Sequence, residues 1–232
     1  AISDGESAAW ISGYLNLYGA RFDADTAAPV ANARYLELYN TLMGKPRIDV
    51  MAFLSAGWIV ADRKLDKPMQ LVAHTRRVAV YRNPLALPMA TFWAHAIETK
   101  TDNEAFHALM QLPEGGLRVT PHANAELANA PHTIVPARID ELGLSHVRVT
   151  VDAPHDGIVV LGQQDARGWR VAVDGTPREK LIAHGVFRAV AVSAGHHEIV
   201  WTYHPRSFFY GALMTIITLV SLQVRVFVKR AR

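Results

Sequence analysis

The chain has 232 residues, half of them apolar, so it can bury at least one sizeable hydrophobic core. It contains no cysteine, which excludes disulfides and thiolate metal sites. The net charge of +3 is concentrated in the last eight positions, at Arg225, Lys229, Arg230 and Arg232. The remaining 20 basic and 21 acidic side chains nearly cancel. The composition therefore does not support a basic domain that binds nucleic acid.

The first 114 residues have the pattern of a small α/β unit. Apolar residues at helical spacing alternate with short runs that are typical of strands. The predicted helices cover residues 30–43, 47–54 and 101–111, and the predicted strands cover residues 58–61, 71–75 and 77–81. The chain begins Ala1-Ile2, without Met and without the charged and apolar segments of a signal peptide. We therefore expect it to be a piece of a longer protein, or to lack its start.

Residues 115–206 carry short strands separated by turn residues at close spacing. In 146–152, Val alternates with polar residues, whereas 157–162 is a continuous apolar run. The predicted strands cover residues 146–152, 157–162, 169–173, 186–192 and 198–204, with turns at 174–177 and 193–195. Regular short strands of this kind predict an antiparallel β-sandwich.

The C-terminal segment, residues 207–232, predicts a membrane anchor with a basic tail. Residues 208–222 contain no charge, and the apolar run continues to 228 past Gln223 and Arg225. About 20 mostly apolar residues span a bilayer, so a transmembrane helix is predicted over 208–228. The basic residues after it predict a cytoplasmic C-terminus, which places residues 1–207 outside. A buried core helix and a surface amphipathic helix are the alternatives, but the run has no strongly polar or charged face.

The sequence shows no constellation typical of catalysis or metal binding. Eleven histidines are scattered without the spacing of a metal-ligating motif. No nucleophile elbow, phosphate-binding loop or dinucleotide-binding glycine pattern is present. Asp152, His155 and Asp156 share a short stretch where acidic residues favour a tight turn. His196 and His197 are neighbours that point to opposite faces, so they cannot chelate one ion together. We predict no catalytic residue, no metal site and no cofactor.

Trp169, Trp201 and Tyr203 are the candidate ligand-binding residues. Each lies on a predicted strand, and their same-face neighbours are apolar: Val171 follows Trp169, and Ile199 precedes Trp201. Such a pattern favours a place in the sandwich core. The alternative is a platform of aromatic rings on which sugars stack.

Several segments, in order along the chain, carry a recognisable pattern of glycine, aromatic and strand residues. They are Arg34-Tyr35-Leu36, Gly57-Trp58-Ile59-Val60-Ala61, Val80-Tyr81-Arg82-Asn83-Pro84, Gly157-Ile158-Val159-Val160-Leu161, Gly168-Trp169-Arg170-Val171-Ala172-Val173-Asp174-Gly175, Phe187-Arg188-Ala189-Val190-Ala191-Val192, Ala194-Gly195 and Tyr203-His204-Pro205. Together they resemble the C-terminal region of YfhO-like bacterial membrane proteins. Residues 163–167 depart from that pattern, because the family usually has aromatic residues and a proline there.

The resemblance implies a polytopic membrane protein of the GT-C type of glycosyltransferase, which takes sugars from polyprenyl-phosphate carriers on the outer face of the membrane. In that class the catalytic acid lies in an early extracytoplasmic loop between the first membrane helices, to which no residue of this chain corresponds. The implied partners are the lipid bilayer and, through the full-length protein, a polyprenyl-linked sugar or an envelope glycan.

The expected fold class is α+β: a small α/β unit (1–114), an antiparallel β-sandwich (115–206) and a transmembrane helix with a basic tail (207–232). The expected function is that of an extracytoplasmic, non-catalytic region that assists a YfhO-like glycosyltransferase at the cell envelope. The alternative is a single-pass, envelope-anchored binding or scaffold module without enzymatic activity.

Overall fold

The fold is taken from a computed structural model of the chain. The structure describes residues 9–12, 34, 37, 38, 48–61, 64, 65, 68–111, 117–120, 127, 130, 132–205, 210, 211, 213–221 and 223.

Two helices with defined bounds and sixteen strands lie within these ranges. The helices are α1 (Ile48–Phe53) and α2 (Asp102–Gln111). The strands are β1 (Ala9–Ser12), β2 (Trp58–Ala61), β3 (Gln70–His74), β4 (Ala79–Arg82), β5 (Ala90–Trp93), β6 (Ala96–Glu98), β7 (Leu117–Thr120), β8 (Ile134–Pro136), β9 (Arg138–Leu142), β10 (His146–Ala153), β11 (Gly157–Gln164), β12 (Trp169–Val173), β13 (Thr176–Arg178), β14 (Leu181–Ala183), β15 (Phe187–Val192) and β16 (Gly195–Tyr203).

Two sheets pack face to face as a sandwich. One has five strands in the order β13-β12-β16-β10-β9, and the other has seven in the order β6-β7-β14-β15-β11-β5-β8. Their strand pairs are antiparallel, except for the parallel pair β6–β7. The described part of the chain is therefore mostly β-sheet with a small helical part. This confirms the prediction of an antiparallel β-sandwich.

The core between the two sheets follows from strand alternation. Val147, Val149 and Val151 of β10 are buried there beside Ile199 and Trp201 of β16. Successive side chains of a strand point to opposite faces, so the alternation of Val with polar residues puts every valine of β10 on one side. The predicted alternation over 146–152 is confirmed.

The seven-stranded sheet is covered on both faces. On the side away from the five-stranded sheet, a second core joins it to α1, α2 and a four-stranded sheet in the order β1-β2-β4-β3. Within β11, Val159 and Leu161 belong to the first core, and Ile158 and Val160 belong to the second. This two-sided burial explains why 157–162 is a continuous apolar run, as a strand covered on both faces requires.

The N-terminal predictions have mixed outcomes. The helices over 47–54 and 101–111 are observed as α1 and α2, and the three strands are observed as β2, β3 and β4. The predicted helix over 30–43 lies outside the described residues except at 34, 37 and 38, which are helical. The strands β1, β5 and β6 were not predicted, and neither were β7, β8, β9, β13 and β14 in the second half of the chain. The division predicted at residue 114 falls between β6 and β7, which are neighbours in one sheet.

The sandwich has two ends. At the exit end, where β16 finishes at Tyr203, lie the turn 143–145 and the loop 165–168. The Tyr203 N–H donates to the Ser145 carbonyl and the His204 N–H donates to the Gly168 carbonyl, both at 2.8 Å. The far end contains the turns 154–156, 174–175 and 193–194. The nine residues of β16 separate the two ends by about 30 Å.

Beyond the sandwich, residues 210, 211, 213–221 and 223 are helical and exposed. No helix formed by the described residues has the length and the apolar character that crossing a membrane requires. The predicted spanning segment lies outside the described residues at 208, 209, 212, 222 and 224–228.

Candidate functional site at the exit end

The three aromatic residues singled out from the sequence meet because of the register between β12 and β16. Trp169 lies opposite Tyr203, and Val171 lies opposite Trp201. The Trp169 and Tyr203 rings are 5.2 Å apart between centroids, at 46° to each other. The pairing of two strands that are distant in sequence thus builds an aromatic cluster at the exit end of the sandwich.

The cluster members differ in burial, and this separates their possible roles. Trp201 is 0% exposed and lies within the first core. Its Nε1–H has no hydrogen-bond partner among the described residues. A ligand cannot stack on a ring that is enclosed on all sides, so the structure places Trp201 in the core. Trp169 and Tyr203 are half-buried, and Trp169 packs against the edge of the same core. A platform role stays a prediction for these two.

Arg188 is the member of the cluster that sequence reasoning missed. It comes from β15 in the opposite sheet and is 2% exposed. Its guanidinium carbon lies 3.8 Å from the Trp169 ring centroid and 5.6 Å from that of Trp201, and Nη2 donates to Gln163 Oε1. A cation over an aromatic face is stabilised by the ring quadrupole, more strongly when water is excluded. A lone arginine within the apolar run of β15 was the available signal.

The loop 165–168 holds Trp169 at the edge of the core. Lys180 Nζ lies 2.5 Å from Asp165 Oδ1 and donates to the Ala166 carbonyl at 3.3 Å. Gly168 passes so close to Tyr203 that a Cβ there would lie 2.5 Å from the ring. This is the segment in which the chain departs from the YfhO-like pattern, and the lysine contacts give it a structural role.

The chemistry available at the exit end is binding rather than bond-breaking. Aromatic faces, a buried guanidinium and an amide can hold a ligand or orient one another. Among the described residues of the cluster there is no nucleophile with an adjacent base, which acyl, glycosyl or phosphoryl transfer by side chains would need.

Acidic and histidine side chains gather at the far end. His196 Nδ1 lies 2.6 Å from Asp152 Oδ1, and His197 Nδ1 lies 2.7 Å from Asp174 Oδ2. The two histidines therefore bind carboxylates on the strands that flank β16 on either side. Asp156 Oδ1 accepts a hydrogen bond from the Ala194 N–H at 2.8 Å, which joins the two turns. In the described ranges no three His, Asp or Glu side chains converge as metal ligands.

Ser193, His197 and Asp174 are aligned in the order of a hydrolytic triad, but their hydrogen bonds argue against that role. His197 Nε2 lies 3.2 Å from Ser193 Oγ and also 3.0 Å from the Ser193 carbonyl oxygen. The carbonyl oxygen can only accept, so it competes with the serine hydroxyl for Nε2, and an Nε2–H that donates to it has no lone pair to take a proton from serine. Through its contacts at both ring nitrogens, the imidazole fastens the turn to the sheet. The His197 hydrogen bond, assisted by the Glu198 N–H, lowers the pKa of Asp174 below its ordinary value.

His184 is a second residue that sequence reasoning did not single out. It follows β14, level with the exit end, and is 1% exposed beside Phe53, with ring centroids 4.7 Å apart. Neither ring nitrogen has a hydrogen-bond partner among the described residues. Burial, with a smaller effect of the Arg118 charge, lowers the pKa of His184 to about 3, so the imidazole is neutral at physiological pH.

Comparison with known proteins adds no relative: no family model, no curated protein and no solved structure matches the chain.

Proposed function

We propose that the chain is a membrane-anchored, extracytoplasmic and non-catalytic region of a YfhO-like protein, which assists the transfer of sugar from a polyprenyl-phosphate donor to a cell-envelope acceptor. In this proposal residues 208–228 span the bilayer, the C-terminus is cytoplasmic and residues 1–207 lie outside. The small α/β unit and the sandwich then stand on the outer surface of the membrane.

An exposed helical segment of apolar side chains supports the proposed membrane anchor. The large apolar side chains between 213 and 220 are 50–63% exposed, namely Leu213, Met214, Ile216, Ile217, Leu219 and Val220. They occur as three pairs separated by Thr215 and Thr218, so at 3.6 residues per turn they cover most of the helix circumference instead of one narrow stripe. An all-round apolar helix is stable in a core or in lipid, and these residues are outside both cores of the protein.

The hydroxyl groups of the same segment support a lipid environment. Thr215 Oγ1 donates to the Gly211 carbonyl, Thr218 Oγ1 to the Met214 carbonyl, and Ser221 Oγ to the Ile217 carbonyl, at 2.8–2.9 Å. Each hydroxyl is thereby satisfied within its own helix. This matters in a bilayer, where no water is available and an unsatisfied polar group costs several kcal/mol by order of magnitude.

The link to sugar transfer depends on the resemblance stated above. The segments that carry it after residue 156 correspond to β11, β12, β15 and β16, central strands of the two sandwich sheets, and two earlier segments contain β2 and β4 of the four-stranded sheet. They are framework segments, which supports a shared fold and an accessory role rather than an active site. The half-buried Trp169 and Tyr203 are the residues best suited to contact an envelope glycan.

Single-cysteine labelling tests the anchor and its orientation. The chain has no cysteine of its own, so Ser193→Cys and Ala231→Cys each introduce one reactive site. In intact cells, a membrane-impermeant maleimide should label the cysteine at 193 and should reach the one at 231 only after permeabilisation. The reverse pattern would overturn the orientation, and labelling of both in intact cells would overturn the anchor.

The accessory role has its own tests. The purified chain should transfer no sugar from a radiolabelled polyprenyl-phosphate donor, and transfer that disappears when one of its own carboxylates is replaced would contradict the proposal. If the gene encodes many hydrophobic spans upstream of Ala1, that result supports the hypothesis of a YfhO-like protein. A signal peptide alone at that place supports the single-pass scaffold instead.

A further inference from the structure

The turn between β9 and β10 carries an apolar side chain that folding does not explain. Leu144 is 89% exposed, more than any other large apolar residue among those described. It sits at the tip of a tight hairpin that the Gly143 N–H closes by donating to the His146 carbonyl at 2.7 Å. Such positions favour Gly, Asn, Asp and Ser, whose backbones and side chains suit the turn. A leucine there places apolar surface in water.

The same end of the molecule presents two amphipathic rings. Ser145, next to Leu144, accepts the hydrogen bond from the Tyr203 N–H, and Tyr203 in turn packs on Trp169. Both rings are half-buried. Trp and Tyr are the side chains enriched where membrane and water meet, since one part of the ring is apolar and the other is polar.

Charge distinguishes the two ends. The exit end exposes Arg167 in its loop and Leu144 in its turn, and the nearby Glu141 carboxylate lies 3.9 Å from Arg148 Nη2. The far end exposes the carboxylates of Asp152, Asp156 and Asp174. Within the described residues, none of the large exposed apolar side chains lies in the far-end turns. An arginine beside apolar groups matches a bilayer surface with anionic headgroups, and a cluster of carboxylates does not.

We propose that the exit end of the sandwich rests on the lipid bilayer, with Leu144 inserted at the boundary between headgroups and acyl chains and with Trp169 and Tyr203 at the interface. This inference rests on the proposed anchor. Six residues separate Tyr203 from Tyr210, the first described residue of the C-terminal helix, and the connection reaches at most about 25 Å. The exit end is therefore held close to the leaflet that the helix enters.

Fluorescence quenching in vesicles tests the contact. The full chain is reconstituted into vesicles of phosphatidylethanolamine and phosphatidylglycerol, with an environment-sensitive dye on one introduced cysteine. The labelled sites are Leu144→Cys at the exit end, His155→Cys at the far end and Val220→Cys in the helix. We expect blue-shifted emission and quenching by lipids with a spin label on the acyl chain at 144 and at 220. The dye at 155 should emit as it does in water.

The pattern of results separates the contact from the anchor. Quenching at 220 with water-like emission at 144 overturns the contact and leaves the anchor standing. Quenching at 144 without quenching at 220 supports the contact and overturns the anchor. Water-like emission at both positions overturns both proposals.

A charge introduced at the tip tests the role of Leu144 without labelling it. With the dye on Ser145→Cys, a second change of Leu144→Asp should abolish the quenching, because a carboxylate resists insertion among lipids. Ile134→Asp is the matched control, because it places the same charge on a partly exposed apolar residue near the far end. It should leave the quenching unchanged. Equal quenching in all three proteins would overturn the assignment of Leu144 as the inserted residue.

Discussion

The exit end and the far end of the sandwich are formed by the same strands, β10, β12 and β16, yet their side chains differ in kind. At the exit end, Trp169, Trp201 and the guanidinium of Arg188 close the core from inside. At the far end, His196 and His197 join carboxylates at the surface. Buried side chains stabilise the exit end, and exposed hydrogen bonds stabilise the far end.

The difference predicts an unequal distribution of stability and of pH sensitivity. Burying apolar surface stabilises a fold by about 25 cal/mol per Å², whereas exposed ion pairs contribute about 0–1 kcal/mol. Removing a buried side chain at the exit end should therefore cost more free energy of unfolding than breaking an exposed hydrogen bond at the far end. The variants below test this ordering, from the largest expected effect to the smallest.

The largest effect is expected at the aromatic cluster. Trp201→Ala should lower the free energy of unfolding by about 3–5 kcal/mol, because it removes a fully buried indole. Trp169→Ala should cost less, since its ring is half-buried. Denaturant titration of each variant measures the difference. Trp58→Ala, at a ring that is 46% exposed, is the control and should cost least. Equal losses at 169 and 201 would contradict the proposed gradient of burial.

Substituting one glycine at each end of the sandwich compares how closely the two ends are packed. At the far end, a Cβ on Gly157 would lie 2.5 Å from the Phe92 ring and from the Trp93 carbonyl oxygen. Gly157→Ala should therefore cost about 1–3 kcal/mol, because backbone must shift. Gly168→Ala at the exit end meets only the half-buried Tyr203 ring, which can move, and should cost less. Thermal unfolding of the two variants gives the order, and a larger loss for Gly168→Ala would reverse this interpretation.

His184 should make the exit end sensitive to acid. Its pKa is about 3 in the folded chain, and the imidazole of an unfolded chain has a pKa of about 6.5, so the unfolded state binds more protons between these values. This residue should therefore destabilise the fold progressively as pH falls below about 6.5, by about 2 kcal/mol at pH 5. His184→Leu should flatten the dependence between pH 7.5 and pH 5, measured by denaturant titration. The exposed His155→Leu should leave the dependence as it is.

The smallest effect is expected at Asp174. Its pKa is lowered in the folded state, so its contribution is present above the unfolded value of about 3.9 and is lost as pH falls through the folded pKa. Asp174→Asn should cost less than about 1 kcal/mol at pH 7, because the carboxylate is half-exposed. The difference from the parent chain should vanish near pH 2. Glu179→Gln, at another exposed carboxylate, should show no such convergence, and a pH-independent cost at 174 would refute the ion-pair account.

The sequence by itself determined which faces of the central strands are apolar. The Val alternation of β10 predicted one apolar face, and the continuous apolar run of β11 predicted a buried strand, because period-2 alternation is a local property that the chain carries wherever it folds. It also singled out Trp169, Trp201 and Tyr203, and it favoured the core for them.

Only the tertiary structure decided which distant residues meet. β5 and β6 were missed because runs of four and three residues are too short to show a periodicity, and they become strands by pairing with β11 and β7. In the sequence, Arg188 is a single charge within an apolar run. In the fold, its guanidinium lies over the rings of Trp169 and Trp201 from the opposite sheet, and these contacts offset the cost of burying the charge. His197 and Asp174 are 23 residues apart, and strand register joins them. Such contacts depend on long-range packing, which periodicity along the chain does not encode.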